Sequence, residues 1–252
     1  MQATVRIHLR KHFSALMCAT LLLAGGFTAT AQAAGKAPLP PEQEWSSGGF
    51  PGEWDVEQIF RGYRVATQVC LACHSFKYIK HRDMMKLGFS EDQVRKLADE
   101  MGMNGIDQKF ISALSDENAK QLYGGPVPDL SLMNLARPHG ADYTHALLMG
   151  YEEAPEGFEV PQNSYYNKYF PGHIIAMPPP LTFDGQVEYP EDGPEATVEQ
   201  MSRDVTAFME WTAEPIKVQR KTLGMYVLIY LLIFTILSYL LMKTIWRDVK
   251  KK

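Results

Sequence analysis

The sequence predicts a mostly α-helical exported domain with long loop insertions, carried by one C-terminal transmembrane helix. Three observations predict it. Apolar residues recur at helical spacing between recognisable caps, no convincing pair of alternating strands appears, and one uncharged stretch of bilayer length lies near the C-terminus. The chain has 252 residues, is 46% hydrophobic and 21% charged, and holds three cysteines with a net charge of −4. That composition excludes a disordered or disulfide-stapled protein, and its acidic balance argues against nucleic acid as a partner.

The first segment, residues 1–34, has the three-part pattern of a cleaved signal peptide. Arg6, Arg10 and Lys11 precede a mostly apolar run from Phe13 to Phe27, and Ala31-Gln32-Ala33 offers a peptidase site. Cleavage near Ala33 or Ala34 removes Cys18 and leaves Cys70 and Cys73 as the only thiols. Residues 35–216 then form the exported domain, expected in the periplasm. Its first part, 36–54, is rich in Pro, Gly and Trp and reads as an extended arm.

A helix starts after Asp55, with Val56, Ile59, Phe60, Tyr63, Ala66, Cys70 and Cys73 at helical spacing. Ser90 and Gln93 make a capping box for a second helix. A short helix from Asp116 ends at Gly124-Gly125, and another from Asp142 ends at Gly150. Thr197 and Gln200 open the last helix of the domain, which stops before Pro215. Residues 151–196 between them read as long loops. After a linker at 217–221, residues 222–242 are uncharged, and at about 1.5 Å per residue they span a bilayer core as a helix. The basic tail, 243–252, places the C-terminus in the cytoplasm by the positive-inside rule, in agreement with the signal peptide.

Cys70-Leu71-Ala72-Cys73-His74 carries the chemistry. Two thiols three residues apart can each add to a vinyl group of one porphyrin, and the histidine that follows turns its imidazole to the iron. A redox dithiol needs a strand–helix context, and a zinc site needs further cysteines; the motif therefore predicts one covalently bound haem c. The sixth ligand decides between electron transfer and catalysis at an open iron. Among 13 methionines, Met177 stands apart, outside any predicted helix and followed by Pro178-Pro179-Pro180. A thioether ligand raises the potential. His139, His145 and His173 are the rival ligands. Arg137 has two readings as well: a fork for a haem propionate, or a surface partner of Asp129 or Asp142.

Charge is unevenly spread. From Pro138 to Ser202 eleven acids face Lys168 alone, around the proposed ligand loop, and such a surface can steer a basic redox partner. From Lys36 to Ile216 the chain holds 28 acids against 14 Lys and Arg, so basic targeting and anchoring segments mask a strongly acidic domain.

The chain also carries, in order, Phe60-Arg61-Gly62-Tyr63-Arg64-Val65 leading to the Cys-x-x-Cys-His motif, Pro128-Asp129-Leu130-Ser131, Ala136-Arg137, Asp142-Tyr143, Tyr166-Asn167, Tyr169-Phe170-Pro171-Gly172, Met177-Pro178-Pro179-Pro180-Leu181, and Trp211 with Glu214-Pro215 before a C-terminal span. In order and spacing these segments together resemble the cytochrome c1 family, the haem c subunits of the cytochrome bc1 complex. Pro138 and Ala141 interrupt the family's usual Arg-His-Gly-Gly-Glu-Asp run, and the chain lacks the cysteines for the extra disulfide of some bacterial relatives. The resemblance implies a class I cytochrome c-like haem domain with His74 and Met177 as axial ligands and Arg137 near a propionate. It also implies electron transfer from a Rieske iron–sulfur protein to a soluble basic cytochrome c, a cytochrome b partner, and a dimeric complex. The short signal segment suggests the inner membrane of a bacterium. A membrane-anchored subunit of an oxidase or nitric oxide reductase, or a haem enzyme or sensor with a labile sixth ligand, are the competing expectations.

Overall fold

Asp55 sits in extended backbone and accepts the amide of Gln58 at 2.9 Å, which starts helix α1, Val56–Gln68. In the computed structural model, which describes residues 37–249, this helix buries Ile59, Tyr63, Val65 and Ala66. The expected signal peptide and the last residues of the basic tail lie outside the described residues. The main partner of α1 is the last helix of the domain, Val198–Ala213, whose cap Thr197 accepts Gln200 N at 3.1 Å. Met201, Val205, Phe208, Met209 and Trp211 of that helix are buried against α1 and its neighbours.

The two helices touch backbone to backbone at Gly62. A Cβ there would lie 1.9 Å from the carbonyl oxygen of Asp204, so no other residue fits without separating the helices. The Asp204 side chain is fully buried at the same crossing. Arg61 Nε donates to it at 2.8 Å, and the Gln58 and Gln200 side-chain amides donate at 3.1 and 2.8 Å. Burying a carboxylate is tolerable when its lone pairs are all spent in this way.

Between these helices the chain makes smaller elements. Cys70–Ala72 is a 3-10 turn, so α1 ends before the cysteines that were expected to continue it. Strand β1, Phe76–Lys80, pairs antiparallel with β2, Lys109–Phe110, and a second 3-10 stretch, His81–Leu87, leads to α2, Glu91–Glu100. The Ser90–Gln93 capping box forms in both directions. Ser115 caps α3, Asp116–Tyr123, which ends on Gly124 with φ of 76°. The short α4, Met133–Ala136, precedes α5, Gly140–Met149. Strands β3, Tyr165–Tyr166, and β4, Ile174–Ile175, pair antiparallel. Among the described residues the longest strand has five residues, Phe-Lys-Tyr-Ile-Lys, and its buried and exposed positions do not alternate, so it leaves no period-two signal in the sequence.

Two further expectations change. Helix α5 begins before Asp142, with His139 in the left-handed region, and Asp142 is used elsewhere: it accepts Gln43 N at 3.1 Å and Trp45 Nε1 at 2.7 Å, fastening the N-terminal arm to the domain. Residues 217–221, read as a linker, are the first turns of one continuous helix, α7, Lys217–Val249. Its basic residues bind the protein. Lys217 pairs with Glu210 and Arg220 with Glu214, while Lys221 Nζ donates to the carbonyls of Ser47, Gly48 and Gly49 at 2.7–2.9 Å. At about 1.5 Å per residue the 33 residues of α7 reach about 50 Å. Its apolar stretch has a mean hydropathy of 2.3 and is exposed on all sides, so it is long and apolar enough to cross a membrane.

Candidate haem-attachment site

The end of α1 delivers the Cys-x-x-Cys-His motif. Cys73 N and His74 N both donate to Cys70 O, at 3.1 and 2.8 Å, which curls the five residues into one tight turn. Cys70 and Cys73 are separate, half-buried thiols. Burial pushes the Cys70 thiol up to about 12, the opposite of the acidic thiol that a redox dithiol requires. Among the described residues no group of three His, Cys, Asp or Glu could hold a metal ion, so a zinc site lacks its remaining donors. Tyr123, at the end of α3, brings its hydroxyl within 3.9 Å of Cys73 Sγ.

His74 Nδ1 lies 2.8 Å from the carbonyl oxygen of Pro128. A carbonyl only accepts, so Nδ1 carries the proton and Nε2 keeps its lone pair. Burial lowers the pKa of the imidazole, against the opposing pull of the Pro128 carbonyl and Asp129, and holds the ring in the neutral form that can ligate. The Pro128–Ser131 segment is tied along the motif. Leu130 N donates to Ser75 O at 2.9 Å, Lys77 N to Asp129 at 2.9 Å, and Tyr78 N to Ser131 Oγ at 3.1 Å. Two thiols and an oriented neutral imidazole within five residues are the donor set that covalent haem attachment needs.

Met177 lies on a separate frame. It lies two residues past β4, precedes three prolines, is half buried, and its carbonyl accepts the hydroxyl of Tyr151 at 3.1 Å. No hydrogen bond joins this segment to the Cys-x-x-Cys-His turn among the described residues. Tyr151 was not singled out from the sequence; an aromatic just past the Gly150 helix stop is the signal that could have found it.

Two of the three rival histidines have other work. His145 is buried and its Nδ1 lies 2.9 Å from Ser202 Oγ, joining α5 to α6, as we label Val198–Ala213. His173 has φ of 63°, stacks on Tyr166 at 5.5 Å and turns Nδ1 to the carbonyl of Asn167 at 3.3 Å. His139 is the exposed left-handed residue before α5. Arg137 is exposed and donates only to the adjacent Ala136 carbonyl, at 3.3 Å. Both carboxylates proposed as its surface partners are committed elsewhere, Asp129 to Lys77 N and Ser131 N and Asp142 to the arm.

The sequence pattern of the Cytochrome C1 family matches residues 45–249. Cytochrome c1 of Rhodospirillum rubrum is 38% identical, covering 94% of this chain and 97% of that one. The mitochondrial cytochrome c1 haem protein of Saccharomyces cerevisiae is 39% identical over 92% of this chain and 80% of its own length. A cytochrome b/c1 of Bradyrhizobium diazoefficiens is 39% identical over 83% of this chain, which accounts for 36% of that longer protein. These similarities do not favour the oxidase, nitric oxide reductase or haem-enzyme readings. With the thiol pair, the oriented His74 and the apolar C-terminal helix in one described fold, the chain belongs to the cytochrome c1 family, the electron-carrying subunits of the bc1 complex, each with one covalently attached haem c.

Proposed function

We propose that Cys70 and Cys73 form the two thioether links, that His74 Nε2 and Met177 Sδ are the axial ligands, and that Arg137 meets a haem propionate. The observation that carries this reading is the His74 Nδ1 bond to the Pro128 carbonyl, which leaves Nε2 as a free and basic donor. When bound, haem c supplies a one-electron ferric–ferrous couple, and the protein supplies its attachment, ligand field and surroundings. With haem bound, His74 and Met177 would both ligate the iron from the protein, which would keep exogenous ligands away and suit electron transfer. Arg137, with neither candidate carboxylate on its guanidinium, is free to take a carboxylate fork.

Electrons enter from a Rieske iron–sulfur protein and leave to a soluble basic cytochrome c, while a cytochrome b subunit oxidises quinol. The name of the Bradyrhizobium relative, which joins b and c1 in one chain, supports the cytochrome b partnership. The exposed acids Glu152, Glu153, Glu156, Glu159, Asp184, Glu188, Glu191, Asp192 and Glu195 support a basic acceptor. The complex is a dimer, following the resemblance. The haem domain stands in the periplasm of a bacterium, and the tail is cytoplasmic. In support, residues 243–252 carry five Lys and Arg against Asp248 alone.

Met177→Leu tests the ligand set. The covalent haem should remain, the midpoint potential should fall by a sizeable part of the roughly 0.8 V that axial ligands span, and the ferrous form should take up carbon monoxide. An unchanged redox titration overturns the assignment. Detergent purification should recover a b-type cytochrome and a Rieske protein with the chain; copper or haem–copper subunits in their place would contradict the bc1 partnership.

A further inference from the structure

We infer that Tyr151 and Asn167 are positioning residues that hold the backbone of Met177 where its sulfur can ligate; this rests on the reading of Met177 as the sixth ligand. A methionine side chain has three rotatable bonds and cannot place its own sulfur, so the backbone must. Before Met177, β4 is tied to β3 by the pairs Tyr165–Ile175 and Tyr166–Ile174. After it, Pro178, Pro179 and Pro180 fix the chain direction. The Tyr151 hydroxyl holds its carbonyl, at 3.1 Å.

Asn167 connects these restraints to the rigid part of the domain. It is fully buried, and every group it owns is engaged. Its Nδ2 donates to Leu147 O in the last turn of α5 at 2.8 Å. Its Oδ1 accepts Tyr169 N and Phe170 N at 3.0 and 3.2 Å. Its amide donates to His173 O at 2.9 Å, and its carbonyl faces His173 Nδ1. It also forms an antiparallel bridge with Tyr151 itself, and Lys168 N donates to Gly150 O at 2.8 Å. Gly150 is pressed against this hub. A Cβ there would lie 2.8 Å from Asn167 Oδ1 and 2.8 Å from the Tyr169 ring, so the α5 terminus meets the Asn167–Tyr169 segment with no room to slide. One amide and one hydroxyl thus carry the position of α5 into the ligand loop.

The test is Tyr151→Phe in the full-length chain within the detergent-purified complex. The ring stays and only the hydroxyl is lost. Removing one hydrogen bond should shift the bound-to-detached ratio of the sulfur ligand by about fivefold. The sulfur-to-iron charge-transfer band of the ferric haem should weaken, the midpoint potential should fall, and a fraction of the ferrous haem should bind carbon monoxide, with covalent haem content unchanged. Asn167→Ala should do the same more strongly; if it fails to fold, Tyr151→Phe carries the test alone. Ser90→Ala, which removes a helix cap of similar worth on α2, controls for a general loss of stability and should move none of these signals. If Met177→Leu changes all three signals while Tyr151→Phe leaves them as in the parent, or if Ser90→Ala moves them equally, the positioning role is overturned. If Met177→Leu itself changes nothing, the ligand reading has failed and this inference with it.

Discussion

The two halves of the proposed haem site are built in opposite ways. The His74 half is assembled from five consecutive residues: two thiols, their shared turn onto Cys70 O, and an imidazole whose one outside contact is a backbone carbonyl. The Met177 half depends on residues brought from the end of α5, a hairpin and a proline run, joined by Asn167 and Tyr151. A ligand that follows a covalent attachment needs little else to find the iron. One that arrives from about a hundred residues away is only as well placed as the packing that carries it.

The largest break in this comparison is Cys70→Ala with Cys73→Ala. Haem should be lost completely from the denatured polypeptide, as read by haem staining after denaturing electrophoresis, while Met177→Leu should keep the stain. Equal loss of stain in both would erase the distinction between the two halves.

The next effect lies beneath both. Asp204→Ala leaves the partly buried Arg61 without its partner at the α1–α6 crossing and should cost about 3 kcal/mol in denaturant unfolding. Because α1 leads directly into Cys70, this loss should fall on the whole domain and not on one ligand. A midpoint shift under about 1 kcal/mol would mean that the crossing tolerates an unpaired guanidinium.

The smallest concerns acid. His81 is fully buried beside Tyr63 and Phe110, and burial lowers its pKa to about 4 from 6.5, with a backbone contact to Gln108 opposing. The folded state therefore holds His81 neutral. Its stability contribution is complete above pH 6.5 and declines as pH falls from there towards 4, because the unfolded chain takes up the proton first. About 3 kcal/mol should be lost across that window, and His81→Gln should flatten that part of the stability–pH curve. An unchanged slope in the variant would remove His81 as the cause.

Much of the frame was legible because its signals are local. Asp55, Ser90 and Thr197 cap helices where the sequence placed them, since a cap bonds three residues ahead and needs no partner from elsewhere. The start of α5 was misread because Asp142 looks like a cap and instead bonds Gln43 and Trp45, about a hundred residues away. The turn at 217–221 was read as a linker because its charges mark the end of the apolar run, yet those charges are spent on Glu210, Glu214 and the arm within one unbroken helix.

By itself the sequence determined the haem attachment, the fifth-ligand candidate and the bilayer-length helix, because thiol spacing and apolar length are properties of consecutive residues. Only the tertiary structure decided that His74 keeps Nε2 free, that His145 is committed to Ser202, that Arg137 pairs with neither Asp129 nor Asp142, and that the Tyr151 hydroxyl bonds the Met177 carbonyl. Each of those depends on which distant donor or acceptor the folded chain brings within about 3 Å, and a hydrogen bond leaves no trace in the sequence until the chain has closed around it.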